Sequence, residues 1–461
     1  MSSNGGSHDS VIDAPLEPRR RITPFELASY DVHDVVTGPK TRLDSGTLTV
    51  DVEELRRTAL GVSELFADVQ VDIIKPGDHV RVVHAVDAAE PRIRVSEPET
   101  DFPGMLGVAS TTVGEGRTNR LRGVSVVAVG EPAPGEPVYW REAIFDMAGE
   151  AARYSPFGGL IDVVLTFVPN LDVLPAVESL ENLFLGTPEA VEYSRAMRIA
   201  ELRVAVELAR ATIGLEPDEM ETYDLVPTAS EGLPTVVYLF QTSMPFVYGE
   251  VVPGGGEIGD VGHLPTIIHP TEVFDGALVN SWSINACMRD TTYLLQNHAV
   301  IENLYARHGR DLNFGGVVLY TNGDSVETKE RISSYAANVA RQLRADGVIL
   351  NYLGGGHSMV DVMLVCQKLE QHGIRTTLLL MEMADQPEDP GFVHFVREAD
   401  AIVSTGNYEQ TIELPRVDRV LGGSKLLPTG EDARGPLELT LRRVLAATNQ
   451  YGGSSLRGRT Y

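Results

Sequence analysis

The chain has 461 residues, 43% of them hydrophobic, and 38 Lys+Arg stand against 65 Asp+Glu for a formal charge of -27. That length exceeds one core of ordinary size and suffices for about two or three domains, and the apolar share is that of a globular protein. The charge opposes nucleic acid and anionic membrane surfaces, whose phosphates repel a field of this sign, but it leaves an anionic substrate open, since one arginine or helix N-terminus reverses the field inside a cleft.

Residues 1–24 are polar and Ser/Gly-rich, then basic at Arg19, Arg20 and Arg21, and predict a leader with no fold of its own. Its opening, MSSNGGSHDS, lacks the charged and apolar stretches of a signal peptide, and no apolar run in the chain approaches the ~20 residues that cross a bilayer. A cytoplasmic location is expected, with no membrane and no nucleic-acid partner. From 25 to 150, short β-like runs at 47–50, 69–74, 79–86 and 123–129 alternate with turns. Pro76-Gly77-Asp78 separates two of them, because Pro presets φ and Gly tolerates positive φ. This section predicts a β-rich domain.

Residues 151–230 form a mixed connecting region whose clearest element is a helix over 188–213. Val191, Met197, Ala200, Leu202, Val206 and Leu208 recur there at helical spacing, and Gly214 follows as a stop. Between 231 and 425, apolar β-branched runs fall at 235–240, 316–319, 347–350, 376–380 and 401–404, with helical stretches at 325–343 and 358–372. Strands buried on both faces and alternating with helices imply a parallel sheet wrapped by helices. The expected fold is therefore α/β: an N-terminal β-rich domain followed by a Rossmann-like α/β domain with a parallel sheet. A last helix is expected over 438–447, inside a C-terminal section of 426–461.

Gly354-Gly355-Gly356-His357 follows the 347–350 run and opens a helix, a geometry in which backbone N–H groups and the helix dipole hold an anion. It matches neither the spaced dinucleotide fingerprint nor the phosphate loop with Lys-Ser/Thr. Two readings stand: a tight turn with a solvated His, or a carboxylate or phosphate pocket in which Gly355, Gly356 and His357 bind substrate. Gly254-Gly255-Gly256 has no helix behind it and reads as a flexible loop. The eleven histidines form no HExxH pair, and His263 and His269 lack an acidic third ligand, so no metal site is expected. Two cysteines, Cys287 and Cys366, do not make a disulfide framework. Without GxSxG, ordinary hydrolase chemistry is not indicated. Residues 275–305, DGALVNSWSINACMRDTTYLLQNHAVIENLY, combine a hydroxyl at Ser283, a thiol at Cys287 and a polar run before a helix. On these residues alone the stretch is an ordinary loop with a buried Cys or a reactive segment.

Further along, Thr291-Thr292-Tyr293, Gln296-Asn297, Ile301, Leu304-Tyr305, His308-Gly309 and Asp311-Leu312-Asn313-Phe314 follow one another. This run resembles the processing region of the component B precursor in the glycine/sarcosine/betaine reductases, a family related to the D-proline reductase proprotein. The resemblance covers most of the chain. Upstream it includes Asp101-Phe102-Pro103-Gly104, Val113-Gly114-Glu115-Gly116-Arg117-Thr118, Leu121-Arg122-Gly123, Asp146-Met147-Ala148-Gly149 and Tyr154-Ser155-Pro156-Phe157. Downstream it includes Gly354 to His357, Asp361 and Ala399-Asp400-Ala401-Ile402-Val403-Ser404-Thr405-Gly406-Asn407.

The resemblance implies that the precursor cuts itself in this region and that its new N-terminal residue becomes a pyruvoyl group. A side-chain nucleophile attacks its own preceding carbonyl, the resulting ester or thioester eliminates, and the dehydroalanine left behind hydrolyses to a ketoacyl group. That ketone withdraws electrons from a bound amine's α-carbon, which a partner's selenol or thiol then attacks. Aligned on Asp290-Thr291-Thr292-Tyr293, the family's cleavage-site cysteine falls near Ser283, after Trp282, with Cys287 four residues later. A serine ester eliminates to the same dehydroalanine, but a hydroxyl needs a nearby base and a strained peptide. Cleavage at Ser283, cleavage at Cys287 and no cleavage remain three alternatives. Asn280 or Asn285 would polarise the scissile carbonyl, Asp290 or His298 would act as base, and Arg117 would hold a substrate carboxylate.

The expected partners are a component B subunit containing Cys or selenocysteine, thiol or selenol carrier proteins, and a small amine or amino-acid substrate, in a hetero-oligomer. An unprocessed structural or ligand-binding subunit is the first alternative. A nucleotide-using Rossmann enzyme is the second, and the missing glycine fingerprint opposes it.

Overall fold

The computed structural model describes residues 24–95, 102, 106, 113–176, 186–225, 230–242, 246–247, 250–251, 264–280, 286–323, 325–352, 356–384, 391–449 and 457–459. The expected leader at 1–24 lies, but for Pro24, outside the described residues, and so does the Gly254–Gly256 loop.

The N-terminal region is β-rich and its larger sheets are mixed. In one, β1 (Phe25–Asp31) runs parallel to β8 (Gly116–Arg122), with β12 (Glu219–Tyr223) antiparallel on one side and β7 (Arg92–Arg94) on the other. The second takes the order β10-β6-β9-β11-β5 from β5 (Phe66–Ile74), β6 (Val80–Ala89), β9 (Val124–Gly130), β10 (Ala143–Asp146) and β11 (Ile161–Pro169). The far-downstream β23 (Arg419–Leu421) joins β6 in parallel. Strands β2 (Asp34–Thr37), β3 (Arg42–Asp44) and β4 (Thr47–Val50) make a small third sheet ahead of α1 (Val52–Leu60), whose cap Asp51 accepts the Glu54 N–H at 3.1 Å. Helix α2 (Pro188–Ala209) sets Tyr193, Met197, Ala200, Val204 and Leu208 against Val86, Val124, Val126 and Ala128 of the second sheet. Val82, Val127 and Val129 point to its opposite face. This two-sided burial matches the near-continuous apolar run of β9 and the burial of every β6 residue, Arg81, His84 and Asp87 included.

In the C-terminal half, β13 (Thr235–Thr242), β18 (Asn313–Thr321), β19 (Gly347–Asn351), β20 (Arg375–Glu382) and β21 (Ile402–Asn407) run parallel in the spatial order β18-β13-β19-β20-β21. Antiparallel strands β16 (Thr266–Ile268) and β25 (Arg457–Arg459) flank them. Three two-residue strands, β14 (Phe246–Val247), β15 (Glu250–Val251) and β17 (Leu278–Val279), form a separate antiparallel sheet in the order β15-β14-β17. Side chains of a strand alternate between faces. Val237, Leu239, Val318, Tyr320, Val348, Leu350 and Leu378 accordingly pack on α6 (Val326–Gln342) and α7 (His357–Gln371). Tyr238, Phe240, Val317 and Leu319 turn the other way, with α3 (Pro270–Phe274), α4 (Thr292–Gln296), α5 (Ala299–Arg307) and part of the N-terminal sheets. Because β13 precedes β18 and β19 in the chain but sits between them, the connections diverge at its carboxyl end. Parallel sheets in general bind ligands at such a point of divergence.

The helix expected over 438–447 is absent. Leu437–Thr440 is a strand, β24, paired antiparallel with β22 (Thr411–Leu414), and a 3-10 turn at Leu441–Arg443 follows. Leu437, Leu439 and Leu441 are all buried at a spacing of two, so pairing with β22 overrides the stretch's helix-favouring composition. Among the described residues no helix is long and apolar enough to cross a membrane.

Candidate functional site

Ser283 and Asn285, with Trp282 between Asn280 and them, lie outside the described residues, but both flanks of that stretch are described. Upstream, β17 delivers Asn280 to a buried position. The Arg198 Nε on α2 donates to the Asn280 carbonyl. Its Nη1 donates to the Ser194 carbonyl at 2.9 Å and hydroxyl at 2.7 Å, one helical turn back, which sets the guanidinium's orientation. Downstream, Ala286–Met288 forms a 3-10 turn. The Ala286 carbonyl accepts from the Ala446 N–H at 2.8 Å, and the Cys287 carbonyl from the Thr448 N–H at 2.9 Å. Thr405, at the carboxyl end of β21, donates its hydroxyl to the Thr448 carbonyl at 3.0 Å. The downstream flank therefore hangs from the parallel sheet.

The next residues bind the N-terminal sheets. Strand β6 shifts register between Ala85 and Asp87, and this bulge leaves carbonyls for the Arg289 Nη1, which donates to Ala85 and, at 3.3 Å, to Val86. Asp87 accepts from the Thr292 N–H at 2.9 Å and hydroxyl at 2.6 Å. Two alternate residues of β7 reach the same region, since Ile93 between them faces the other way. Arg92 donates to the carbonyls of Phe274 (2.5 Å) and Gln296 (3.1 Å) and pairs with Glu90 at 2.7 Å. Arg94 meets Asp275 at 3.1 Å, and Asp275 also accepts from Gly114 N–H (2.9 Å) and the Thr118 hydroxyl (2.6 Å). Asn280 and the stretch from Ala286 to Asn297 are thus tied between them to α2, β6, β7 and the C-terminal stretch.

Burial sets the electrostatics here. Cys287 is fully buried, which pushes its thiol up to about 12, so it stays protonated at neutral pH. Asp275 is pushed up to about 6 by burial, against its hydrogen bonds and Arg94. Burial pulls Arg198 down to about 10 and Arg289 down to about 9, while Asp87 works in the opposite direction on both. His298 is buried edge-on to Tyr238 and Phe240, with ring centroids 5.2 and 5.4 Å away, and burial pulls it down to about 3. Its imidazole is neutral at pH 7. Asp290 keeps slight exposure and raises the fully buried Tyr238 phenol further beyond what burial does.

At the carboxyl edge of the parallel sheet, Gly354 and Gly355 lie outside the described residues. Gly356 caps α7 with φ 64 and no side-chain cap, and His357 is the helix's first residue. Asn351 accepts the Gln241 N–H at 2.6 Å, and the Gln241 side chain donates to the Ser358 carbonyl at 3.1 Å, which holds the start of α7 against β13 and β19. Lys329 bonds Asp361 at 2.6 Å and the His357 carbonyl at 3.1 Å, so α6 and α7 begin side by side. Arg117 donates to Asn119 and to the Tyr30 hydroxyl, both at 3.2 Å, while its neighbour Thr118 on the other face of β8 reaches Asp275. Among the described residues no group of three or more His, Cys, Asp or Glu is placed to hold a metal.

A family model for glycine/sarcosine/betaine reductase component B subunits matches residues 24–435. The chain belongs to this family. It is similar to the glycine reductase complex component B subunits alpha and beta of Acetoanaerobium sticklandii, 31% identical over 95% of this chain and 100% of that one. It is 32% identical to the betaine reductase complex component B subunit alpha of Peptoclostridium acidaminophilum, over 86% of this chain and 87% of that one. A more distant match, 21% identical over 78% of this chain and 55% of the other, is the D-proline reductase proprotein of Acetoanaerobium sticklandii. No solved structure matches.

Within this component B family member, the motif that carried the resemblance, Thr291 to Asn297, is the stretch held by Asp87, Glu90 and Arg92. Sequence reasoning missed the holders. Arg92 and Arg94 left a signal, an Arg-Ile-Arg alternation in a β-rich section, and Arg198 left another, a charge amid the apolar periodicity of α2. Nothing in the sequence pointed to Ala446 and Thr448, whose contribution is backbone.

Proposed function

We propose that this chain is a reductase-complex subunit acting on a small amino acid or amine, and that it generates a ketoacyl N-terminus by cutting itself at Ser283. The observation that carries this reading is the state of Cys287: its thiol is buried and protonated between anchored carbonyls, which favours Ser283, the residue that falls at the family's cleavage position, as the nucleophile. The surroundings fit such a group. Asn280 Nδ2, three residues before Ser283, is buried without a hydrogen-bond partner and is a donor in reserve for a developing oxyanion. Asp290, beside Tyr238, is the proposed base, since the neutral His298 lies sealed between aromatic rings. A pyruvoyl group would supply an electron-withdrawing carbonyl next to the substrate amine.

The remaining assignments rest on the same geometry. We read the five-stranded parallel sheet as Rossmann-like, with Gly356 and His357 at the start of α7, and Gly355 before them in the chain, as the carboxylate site. Burial pushes the second thiol, Cys366, up to about 11, so neither cysteine of the chain supplies a thiolate. The reducing thiol or selenol therefore comes from a partner, a Cys- or selenocysteine-containing component B subunit served by thiol or selenol carriers. The test is intact mass under denaturing, reducing conditions. Two fragments meeting at Trp282–Ser283, the second blocked to Edman sequencing and shifted in mass by phenylhydrazine, are expected. A single uncut chain of 461 residues would overturn the reading.

A further inference from the structure

We infer that the slot between α5 and the face of β19 and β20 that α6 and α7 leave uncovered binds a small carboxylate with an unbranched apolar tail. Its head lies on Arg307 and Arg375 and its tail along the sheet. The inference stands whether or not the chain is cut at Ser283.

The slot has a volume of about 540 Å³, within the ~300–1,000 Å³ usual for small-molecule sites. Strands of a parallel sheet are ordinarily covered on both faces. On this face α5 supplies one wall, through Val300, Leu304 and Arg307 at helical spacing, and Val236, Ile349 and Thr377 beside it stay half-buried. The strand register explains the hollow. Val236, Gly347 and Arg375 are paired neighbours in one row, and Tyr238, Ile349 and Thr377 make the next. Gly347 thus leaves the floor of the first row without a side chain. The backbone does not call for glycine there. Its φ lies outside the left-handed region, and its pairing on both sides runs without a bulge. An added Cβ would meet only ordinary contacts, the Arg375 carbonyl at 3.7 Å and Val236 at 3.8 Å. A strand glycine free of such demands marks the close approach of another group.

Charge sets the direction of the ligand. Helix α5 leads directly into β18, which runs parallel with β13, β19 and β20, so Arg307 at its end and Arg375 at the start of β20 stand at the same mouth. Val300 and Leu379 lie toward the other, apolar end. Both guanidiniums are exposed and carry only single pairs, with Asp311 at 3.0 Å and Glu370 at 3.3 Å. Glu370 is itself engaged by the Thr376 N–H at 2.6 Å. Exposed pairs of this kind contribute little, whereas a carboxylate between two arginines accepts charge-assisted hydrogen bonds from both. In a chain of net charge -27, this mouth selects an anionic head for an apolar slot.

The experiment is calorimetric titration of the full chain with octanoate, hexanoate, octylammonium and acetate at one ionic strength. Octanoate is expected to bind about 15-fold tighter than hexanoate, because each buried CH₂ is worth about fourfold in affinity. Octylammonium should bind at least ~10-fold more weakly than octanoate, and acetate should give no signal. Gly347→Val fills the floor and should weaken octanoate at least ~10-fold with Tm at or above the wild-type value, since a β-branched residue suits a strand. Arg375→Gln changes an exposed side chain, leaves the core untouched, and should weaken octanoate about 10-fold while sparing octylammonium. Three results would each overturn the inference: no octanoate binding at millimolar concentration, equal affinity for octanoate and octylammonium, or wild-type octanoate affinity in both variants. A chain that light scattering finds dimeric, and Gly347→Val monomeric, would give the slot to a second copy and overturn it too.

Discussion

Cys287 offers the sharpest test of how the site is wired. Its thiol is fully buried in the 3-10 turn at Ala286–Met288 and pushed up to about 12. At pH 8 an ordinary cysteine of pKa ~8.5 is about one-quarter thiolate, whereas a thiol at ~12 is ionised about once in 10,000. Ionisation alone therefore slows alkylation roughly 2,000-fold, and burial adds to that. The native chain is incubated with iodoacetamide at pH 8, quenched at intervals and mapped by peptide mass, with a denatured sample as the fully reactive reference. Cys287 should remain unmodified over hours in the native protein and react within minutes in denaturant. Cys287→Ala should leave self-cleavage unchanged and cost about 1 kcal/mol of stability. Rapid native alkylation of Cys287, or loss of cleavage in Cys287→Ala, would refute the assignment of an inert structural thiol and return it to the list of nucleophiles.

Two further outcomes follow from the packing around the same region. His298 is pulled down to about 3 by burial, so the unfolded chain takes up its proton first as pH falls below ~6.5, and stability is lost from there down to about 3. His298→Phe should flatten that acid limb by up to about 1.4 kcal/mol per pH unit, read as urea midpoints at pH 7, 5.5 and 4.5; an unchanged slope would rule it out. Gly114 has φ +81, and a Cβ there would lie 2.8 Å from the Glu272 nitrogen and the Thr271 hydroxyl. Gly114→Ala should cost about 2 kcal/mol or more and loosen Asp275, seen as a lowered Tm; a Tm at the wild-type value would contradict the geometry.

The elements with strong local periodicity were legible in the sequence. The run at 47–50 is β4, the helix over 188–213 is α2 with a 3-10 extension, and Ser325 caps α6 as its position at the start of the 325–343 stretch suggests. The runs at 235–240 and 347–350 are the adjacent strands β13 and β19. Legibility failed where long-range pairing decides the outcome. Residues 438–447 have helix-favouring composition, yet a partner strand about 25 residues upstream claims Leu437–Thr440. It failed again at the site, because the anchors are buried arginines on backbone carbonyls, and neither burial nor a carbonyl's direction is written in residue type. The family motif was readable as a pattern. Its physical meaning, a stretch locked onto β6 and β7, was not.

The seat of β13 has a consequence for any cut between Asn280 and Ala286. This strand precedes the cut, yet it pairs with β18 from Thr235 to Thr242 on one side and with β19 from Val236 to Leu239 on the other, and both of those strands follow it. From the other direction, β23 of the later part enters the early sheet beside β6. Each product would thus hold a strand of the other inside its own ladder, like two combs pushed together. Such products do not drift apart as independent proteins. Separating them requires tearing a central strand from a sheet buried on both faces, so a scission of the covalent chain would leave a stable two-chain body in which neither piece has a native fold alone.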